Sequence, residues 1–125
     1  MNDTEKINTF FRNYVDPCYK NDMNVIRLSK GNTPQHNLRV CEICCWLLAS
    51  NIPFYTEVKL KSGVRPDIIC PTHIKPIIEV FHTEDEKDFV VHKEPKYPKE
   101  LRTEIIFNRT YNKFKGVDLL WNNQD

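Results

Sequence analysis

The hydrophobic pattern changes its period once, near residue 50, and this change most limits what the chain can fold into. Between residues 34 and 50 the apolar side chains recur at the spacing of a helix, and Asn51-Ile52-Pro53 ends that pattern. From residue 54 to residue 81 they alternate or run together in short segments, as in strands. A long helix followed by strands indicates a mixed α/β domain.

The same signals predict the remaining elements in the order helix, three strands, helix, strand. Strand 76–81 is the most apolar and is expected to be central, while strands 54–60 and 65–70 form a hairpin around Lys61-Ser62-Gly63. The other predicted elements are a helix over 3–15 capped by Asp3 or Thr4, a short strand over 24–28, a helix over 84–93, a strand over 104–107 and a last short strand or helix over 117–121.

Helix 34–50 has the clearest start. Thr33 is a good N-cap residue, and Pro34 suits the first helical position. One broad apolar arc of this helix is expected to face the core; it contains Leu38, Val40, Cys41, Cys44, Cys45, Leu47 and Leu48. Glu42 lies at the border of that arc.

Length and composition favour one intracellular domain. The chain has 125 residues, of which 40% are hydrophobic, and this suffices for a single core. The most apolar stretch, 38–49, is interrupted by Arg39 and Glu42 and is too short to span a bilayer. The start of the chain lacks the pattern of a signal peptide. We therefore expect a cytoplasmic protein (the host cytoplasm if the source is viral) that makes no membrane contact.

The five cysteines are an odd number, which argues against a disulfide framework. Cys41-x-x-Cys44-Cys45 invites a zinc hypothesis and hence a zinc-stabilised interaction domain, but a structural zinc site needs four ligands, typically from two such pairs. Only Cys18 and Cys70 remain elsewhere. We expect no zinc and five thiols in the core.

Two carboxylates stand out from their apolar surroundings. Asp67 opens strand 65–70 after Pro66, and Glu79 lies inside strand 76–81, both of whose faces look apolar. A glutamate buried there is costly unless it is paired or binds a metal. The alternative is that Glu79 lies on the solvated face of an edge strand.

These residues carry a resemblance to a known family. Arg65-Pro66-Asp67-Ile68-Ile69 followed by Pro76-Ile77-Ile78-Glu79-Val80 resembles the PD-(D/E)XK nuclease superfamily, which has the restriction-endonuclease-like fold. The helix with Glu42 and the segment 55–58 are similar to that family's first helix and first strand. Thr33–His36 and Ile78–Glu84 also resemble competence-protein-like (CoiA-like) members. The resemblance covers residues 31–107 and leaves an N-terminal extension, 1–30, and a C-terminal element, 108–125, within one domain.

The resemblance implies metal-dependent hydrolysis of DNA, duplex or branched. A chain of this size lacks a separate specificity domain, so we expect a homodimer, or recognition of DNA structure rather than sequence. Asp67, Glu79 and the backbone carbonyl of Val80 would bind Mg²⁺ or Mn²⁺, and Glu42 would bind it through a water. Hard divalent cations prefer such oxygen ligands. They activate water and neutralise charge on the phosphate.

One position departs from the family pattern, since Phe81 stands where the family has its catalytic lysine. The role could have moved to Lys59, Lys87, Lys93 or His82; Lys59 is the most economical choice because strand alternation places it on the same side as Glu57. Alternatively, the metal alone activates the water, or the fold is a catalytically silent module that binds nucleic acid or serves in an assembly. His36, in the first turn of helix 34–50, is a second catalytic candidate.

Basic residues predict where nucleic acid would bind. The net charge is only +1, but the acids gather between Glu79 and Asp88 and the bases between Lys93 and Lys115. The small net charge therefore does not exclude a nuclease. It predicts a modest affinity for nucleic acid that depends on metal and salt. The candidates for contacts with DNA are Lys61, Arg65, Lys93 and Lys96. A solvated C-terminal face is the alternative for the basic run.

Overall fold

Four strands form a mixed sheet in the order β1-β2-β3-β4. They are β1 (Tyr55–Thr56), β2 (Ile68–Ile69), β3 (Ile77–Phe81) and β4 (Ile105–Arg109). β2 pairs antiparallel with both β1 and β3, whereas β4 pairs with β3 in parallel. The mixed α/β class and the β1–β2 hairpin are thus confirmed, and β3 is an inner strand whose five residues are all buried.

The structure is a computed structural model and describes residues 1–19, 21–81 and 85–109. His82, Glu84, the predicted element 117–121 and most of the C-terminal part of the basic run lie outside the described residues. The helices are α1 (Asp3–Tyr14), α2 (Pro34–Ala49), α3 (Asp85–Asp88) and α4 (Lys99–Arg102). No described helix combines the length and the apolar character needed to cross a bilayer.

The helix ends follow from local chemistry. The hydroxyl oxygen of Thr33 accepts the backbone N–H of His36 at 3.2 Å, as predicted for the start of α2. In α1 the cap is Asn2, whose side chain accepts the N–H of Glu5, so the prediction of Asp3 or Thr4 was wrong by one or two positions. After α3 the chain continues as a π-helix (Phe89–Lys93) and a 3-10 turn (Glu94–Lys96).

The two faces of the sheet bury two apolar clusters. On one face Ile78 and Val80 pack with Val40 and Ile43 of α2. On the other face Ile77 packs with residues from α1 and from the connection between β3 and β4; these are Phe10, Phe89, Tyr97 and Leu101. Side chains alternate across a strand. Glu79 therefore shares its face with Ile77, beneath the β3–β4 connection.

Three predicted strands differ from expectation: 54–60 and 65–70 are shorter, and 24–28 is absent. β1 ends at Thr56 because Glu57 adopts a left-handed backbone conformation with φ 56°, which breaks the alternation predicted for 54–60. The predicted strand 24–28 does not form. Instead, the hydroxyl of Thr56 donates to Val25 O and accepts from Arg27 N, each at 2.9 Å, and these bonds hold the segment against β1.

The core-facing arc of α2 is narrower than predicted. Val40, Ile43 and Cys44 are buried, but the predicted arc also contained Leu38, Cys45 and Leu48, which are exposed. The sheet covers only one side of the helix, and the helical period does not reveal how wide that side is. The prediction of five core thiols was therefore wrong, since among the cysteines only Cys44 and Cys70 are buried.

Candidate active site

The register of the hairpin brings the two acids together. Ile68 pairs with Ile78 and Ile69 with Ile77 in the antiparallel β2–β3 ladder. Continued by one residue, this register places Asp67 opposite Glu79. Side chains directly opposite in such a ladder have Cβ atoms about 5 Å apart, and like charges there are destabilising. The sheet therefore holds two carboxylates at a cost in stability.

Asp67 is fixed by two donors. Its Oδ2 accepts the backbone N–H of Val80 at 2.7 Å, and its Oδ1 lies 3.2 Å from Nε2 of His36. Burial alone would raise the pKa of Asp67, but the hydrogen bond from His36 and the charge of Lys93 outweigh it and hold that pKa below its usual range. Asp67 is thus an anion in the folded protein at neutral pH.

Glu79 is almost fully enclosed, with 2% of its surface exposed. Its Oε2 lies 2.8 Å from the Nζ of Lys93, and its Oε1 accepts the hydroxyl of Tyr97. Burial, followed by the charge of Asp67, raises the pKa of Glu79 to about 7, although Lys93 and Tyr97 act in the opposite direction. The pKa values of the two acids are therefore shifted in opposite directions, because their surroundings differ.

Lys93 and Tyr97 both come from the connection between β3 and β4. Lys93 is the last residue of the π-helix, and Tyr97 follows the 3-10 turn. Tyr97 is 1% exposed, and burial together with the negative charge of Glu79 raises the pKa of its hydroxyl. The phenol stays protonated and donates to the carboxylate.

Asp67, Glu79 and Lys93 line a cavity of about 370 Å³, which we call the acidic cavity. Its lining residues are Asn32, His36, Asp67, Glu79, Val80, Phe81, Asp88, Phe89, His92 and Lys93. Asp67, Glu79, Val80 and His36 had been predicted as site residues, and the structure brings all four here. Lys93 had been only one of several alternatives for the missing lysine.

Two other predicted catalytic residues are not brought to this cavity. The carboxylate of Glu42 pairs with Arg39, which also donates to the side chain of Asn108 at 2.8 Å. Glu42 is half-buried and is not among the described residues that line the cavity. Lys59 follows the left-handed Glu57 and does not line it either. The alternation that favoured Lys59 ends with β1.

Phe81 is packed in the hydrophobic core. It is 6% exposed, and its ring centroid lies 6.0 Å from that of Phe89 and 5.4 Å from that of Phe107. A lysine in this aromatic cluster would bury its charge. The amine beside Glu79 instead arrives from Lys93, and no spacing in the sequence distinguishes Lys93 from Lys87 or Lys59.

The predicted DNA contacts separate into two places. Arg65, Lys93 and Lys96 line a second cavity of about 420 Å³, together with Gly63, Val64 and His92. Lys61 lies elsewhere, since its amine donates to the carbonyl of Arg12 at 2.5 Å. The hairpin turn thus directs Arg65 and Lys61 to different parts of the surface.

The donor set suits a hard divalent cation. In the present arrangement no three His, Cys, Asp or Glu side chains within the described ranges are grouped closely enough to hold a metal. However, Asp67 and Glu79 share one cavity, and the charge of Asp67 disfavours the anion of Glu79. A cation between them would relieve this repulsion. Nδ1 of His36 is buried and has no hydrogen-bond partner among the described residues.

Comparisons with protein-family models, with curated proteins and with solved structures found no match for this chain.

Proposed function

We propose that this protein is a metal-dependent phosphodiesterase that hydrolyses DNA on a restriction-endonuclease-like fold. The observation that carries the proposal is the meeting of Asp67, Glu79 and Lys93 in one cavity. Two carboxylates and an amine are the groups that the resemblance requires, although the amine comes from another part of the chain. The antiparallel β1–β2–β3 meander followed by the parallel strand β4 supports the fold assignment.

The acids would hold the cation. Asp67 and Glu79 would supply carboxylate oxygens to Mg²⁺ or Mn²⁺, and the carbonyl of Val80 is the third ligand that the resemblance implies. Once bound, the ion would supply Lewis-acid polarisation and charge neutralisation at the phosphate. His36, through Nε2, holds the Asp67 carboxylate in its present orientation.

Lys93 would serve as the catalytic lysine that the family has at the position of Phe81. Its ammonium group already lies at the carboxylate of Glu79, where it balances negative charge in a buried place. From this position its N–H groups can donate to the attacking water or to a non-bridging phosphate oxygen. Preorganised donors of this kind stabilise the charge that develops in the transition state.

A cleavage assay tests the proposal. Duplex, single-stranded and branched DNA, and RNA, would be incubated with Mg²⁺ or Mn²⁺ and wild type, Asp67→Asn or Glu79→Gln. We expect cleavage of DNA by wild type and a loss of at least 100-fold in each variant. Glu100→Gln, an exposed acid of α4, is the matched control and should cleave like wild type. Activity that survives both cavity substitutions would exclude this site.

A second candidate function is a catalytically silent module that binds nucleic acid or serves in an assembly. The burial of Phe81 in the aromatic cluster favours it, because the family's lysine position is used for packing. This alternative predicts binding of DNA without cleavage of any substrate. The homodimer also stays a prediction, which light scattering of the purified protein would check.

A further inference from the structure

The acidic cavity adjoins the second cavity, because His92 and Lys93 line both. We call the second one the basic groove. Its walls are the turn that leads into β2, through Gly63, Val64 and Arg65, and three residues of the β3–β4 connection, His92, Lys93 and Lys96. A ligand in one cavity therefore lies beside residues that also line the other.

The two cavities differ sharply in charge. The described lining of the acidic cavity includes three carboxylates, those of Asp67, Glu79 and Asp88. The described lining of the basic groove contains no acid; it contains Arg65, Lys93 and Lys96, together with His92. Arg65, His92 and Lys96 are exposed residues. Together, the acidic cavity and the basic groove suit a ligand that needs a cation-binding pocket beside a positively charged surface.

The turn that presents Arg65 is locally fixed and open on its outer side. The N–H of Leu60 donates to Val64 O at 2.8 Å, and the N–H of Gly63 donates to Leu60 O at 2.9 Å. Gly63 has φ +94°, and no atom lies within 4 Å of the place where a Cβ would be. A ligand can approach this backbone closely.

We infer that the basic groove binds the phosphate that neighbours the scissile phosphate on the same strand. The inference rests on the proposed function for the role of the acidic cavity, and it makes the substrate a polynucleotide chain rather than an isolated phosphodiester. Arg65 and Lys96 bind this neighbouring phosphate. Lys93, between the two cavities, faces both phosphates.

The spacing of charge along a nucleic acid supports this assignment. One strand carries a negative charge about every 3.4 Å along the helix axis, so a strand with one phosphate in the acidic cavity must place the next one close by. A groove that shares two lining residues with the acidic cavity meets this demand.

Salt-dependent binding tests the inference independently of catalysis. Fluorescent single-stranded and duplex DNA 12-mers, and an RNA 12-mer of the same sequence, would be titrated in EDTA with wild type and with the double variant Arg65→Ala/Lys96→Ala. Each lost phosphate contact lowers the slope of log K against log[salt] by about 0.7 to 0.9, so we expect a decrease of this size for the double variant, which loses its contact with one phosphate.

The control double variant Lys30→Ala/Lys75→Ala removes the same charge from exposed lysines that line neither cavity. Its slope should equal that of wild type, and circular dichroism should show that both double variants are folded. An equal decrease in the two variants would overturn the inference, since it would reflect net charge alone. Competition by a glutamate peptide as strong as that by the oligonucleotide would also overturn it.

A second arm compares a long substrate with a small one in the presence of Mn²⁺. We expect Arg65→Ala/Lys96→Ala to lower kcat/KM for the DNA 12-mer at least tenfold and to lower that for bis(p-nitrophenyl) phosphate, which has no neighbouring phosphate, by a much smaller factor. An equal loss on both substrates would contradict a role confined to the neighbouring phosphate. If wild type hydrolyses neither substrate, the proposed function fails, whereas the slopes measured in EDTA still decide whether the groove binds the strand.

Discussion

The ammonium nitrogen of Lys93 lies 2.8 Å from Oε2 of Glu79, a carboxylate 14 residues earlier in the chain. Glu79 is fixed in the inner strand β3, and Lys93 ends the π-helix that follows α3. The contact joins the sheet to the connection that leads to β4. It explains how a charged residue can lie in a strand whose other members are apolar.

The first prediction concerns this lysine. We expect Lys93→Met to lower the rate of DNA cleavage by about 10² to 10⁴, the usual range for a group that assists proton transfer or stabilises charge. Lys59→Met, which changes the residue favoured by sequence, should retain most activity because Lys59 does not line the acidic cavity. Single-turnover cleavage with saturating Mn²⁺ measures both. If Lys59→Met lowered the cleavage rate more than Lys93→Met, the catalytic role would belong to Lys59.

The second prediction concerns the phenol behind Glu79. Tyr97→Phe leaves one buried carboxylate oxygen without its donor and should lower the free energy of unfolding by about 1–3 kcal/mol, as for other unsatisfied buried groups. Tyr14→Phe is the matched control, since Tyr14 is only partly buried and packs by its ring against Phe10. We expect that change to stay within about 0.5 kcal/mol. Urea unfolding measures both variants. Equal losses of stability in Tyr97→Phe and Tyr14→Phe would argue against a stabilising hydrogen bond between Tyr97 and Glu79.

The third prediction is the pH dependence of stability without metal. The pKa of Glu79 is about 7 in the folded protein against an ordinary value of 4.5, so the unfolded chain releases this proton first as pH rises. Stability should therefore fall as pH rises from 4.5 through about 7, by at most about 3 kcal/mol from this group. The pKa of His36 is also raised, so the stability that this residue contributes at lower pH is likewise lost as pH rises above 6.5.

Urea unfolding in EDTA between pH 4.5 and 8 measures this dependence. Glu79→Gln should flatten most of the slope, because the amide does not titrate. Asp67 contributes in the opposite sense only at low pH, since its pKa lies below 3.8 and its stabilisation is lost as pH falls further. A stability that rises between pH 5 and 7 would contradict the assigned surroundings of Glu79.

The fourth prediction is stabilisation by metal. Mn²⁺ or Mg²⁺ at 100 times its Kd should raise the free energy of unfolding by about 2.7 kcal/mol through binding to the folded state. Asp67→Asn and Glu79→Gln should abolish the increase in Tm. Glu42→Gln should keep it, because Glu42 pairs with Arg39 outside the cavity. If Glu42→Gln lost the effect, the water-mediated role predicted from the sequence would be right.

The sequence predicts best the features that local chemistry determines. Thr33 and Pro34 define the start of α2, and the apolar run around Glu79 identifies an inner strand. The hairpin between the segments of Asp67 and Glu79 suffices to bring these two acids together, because a short connection permits few registers.

The rest depends on contacts between distant segments. Nothing local marks Glu57 as left-handed, a conformation that shortens β1 and removes Lys59 from the strand pattern. The pairing of Lys93 and Tyr97 with Glu79 depends on how the β3–β4 connection folds back over the sheet. The buried width of α2 depends on how much of the helix the sheet covers. Period and composition contain none of this information.

The parallel pairing of β3 and β4 has a consequence for a chain during its synthesis. The two acids are adjacent as soon as the β2–β3 hairpin closes, but parallel neighbours need a long crossover and form contacts between residues far apart in sequence. The crossover that carries Lys93 is anchored at its far end when Ile105 and its successors pair with β3. A nascent chain that stops short of β4 thus has its two acids adjacent in the hairpin before the crossover that carries Lys93 is anchored at both ends.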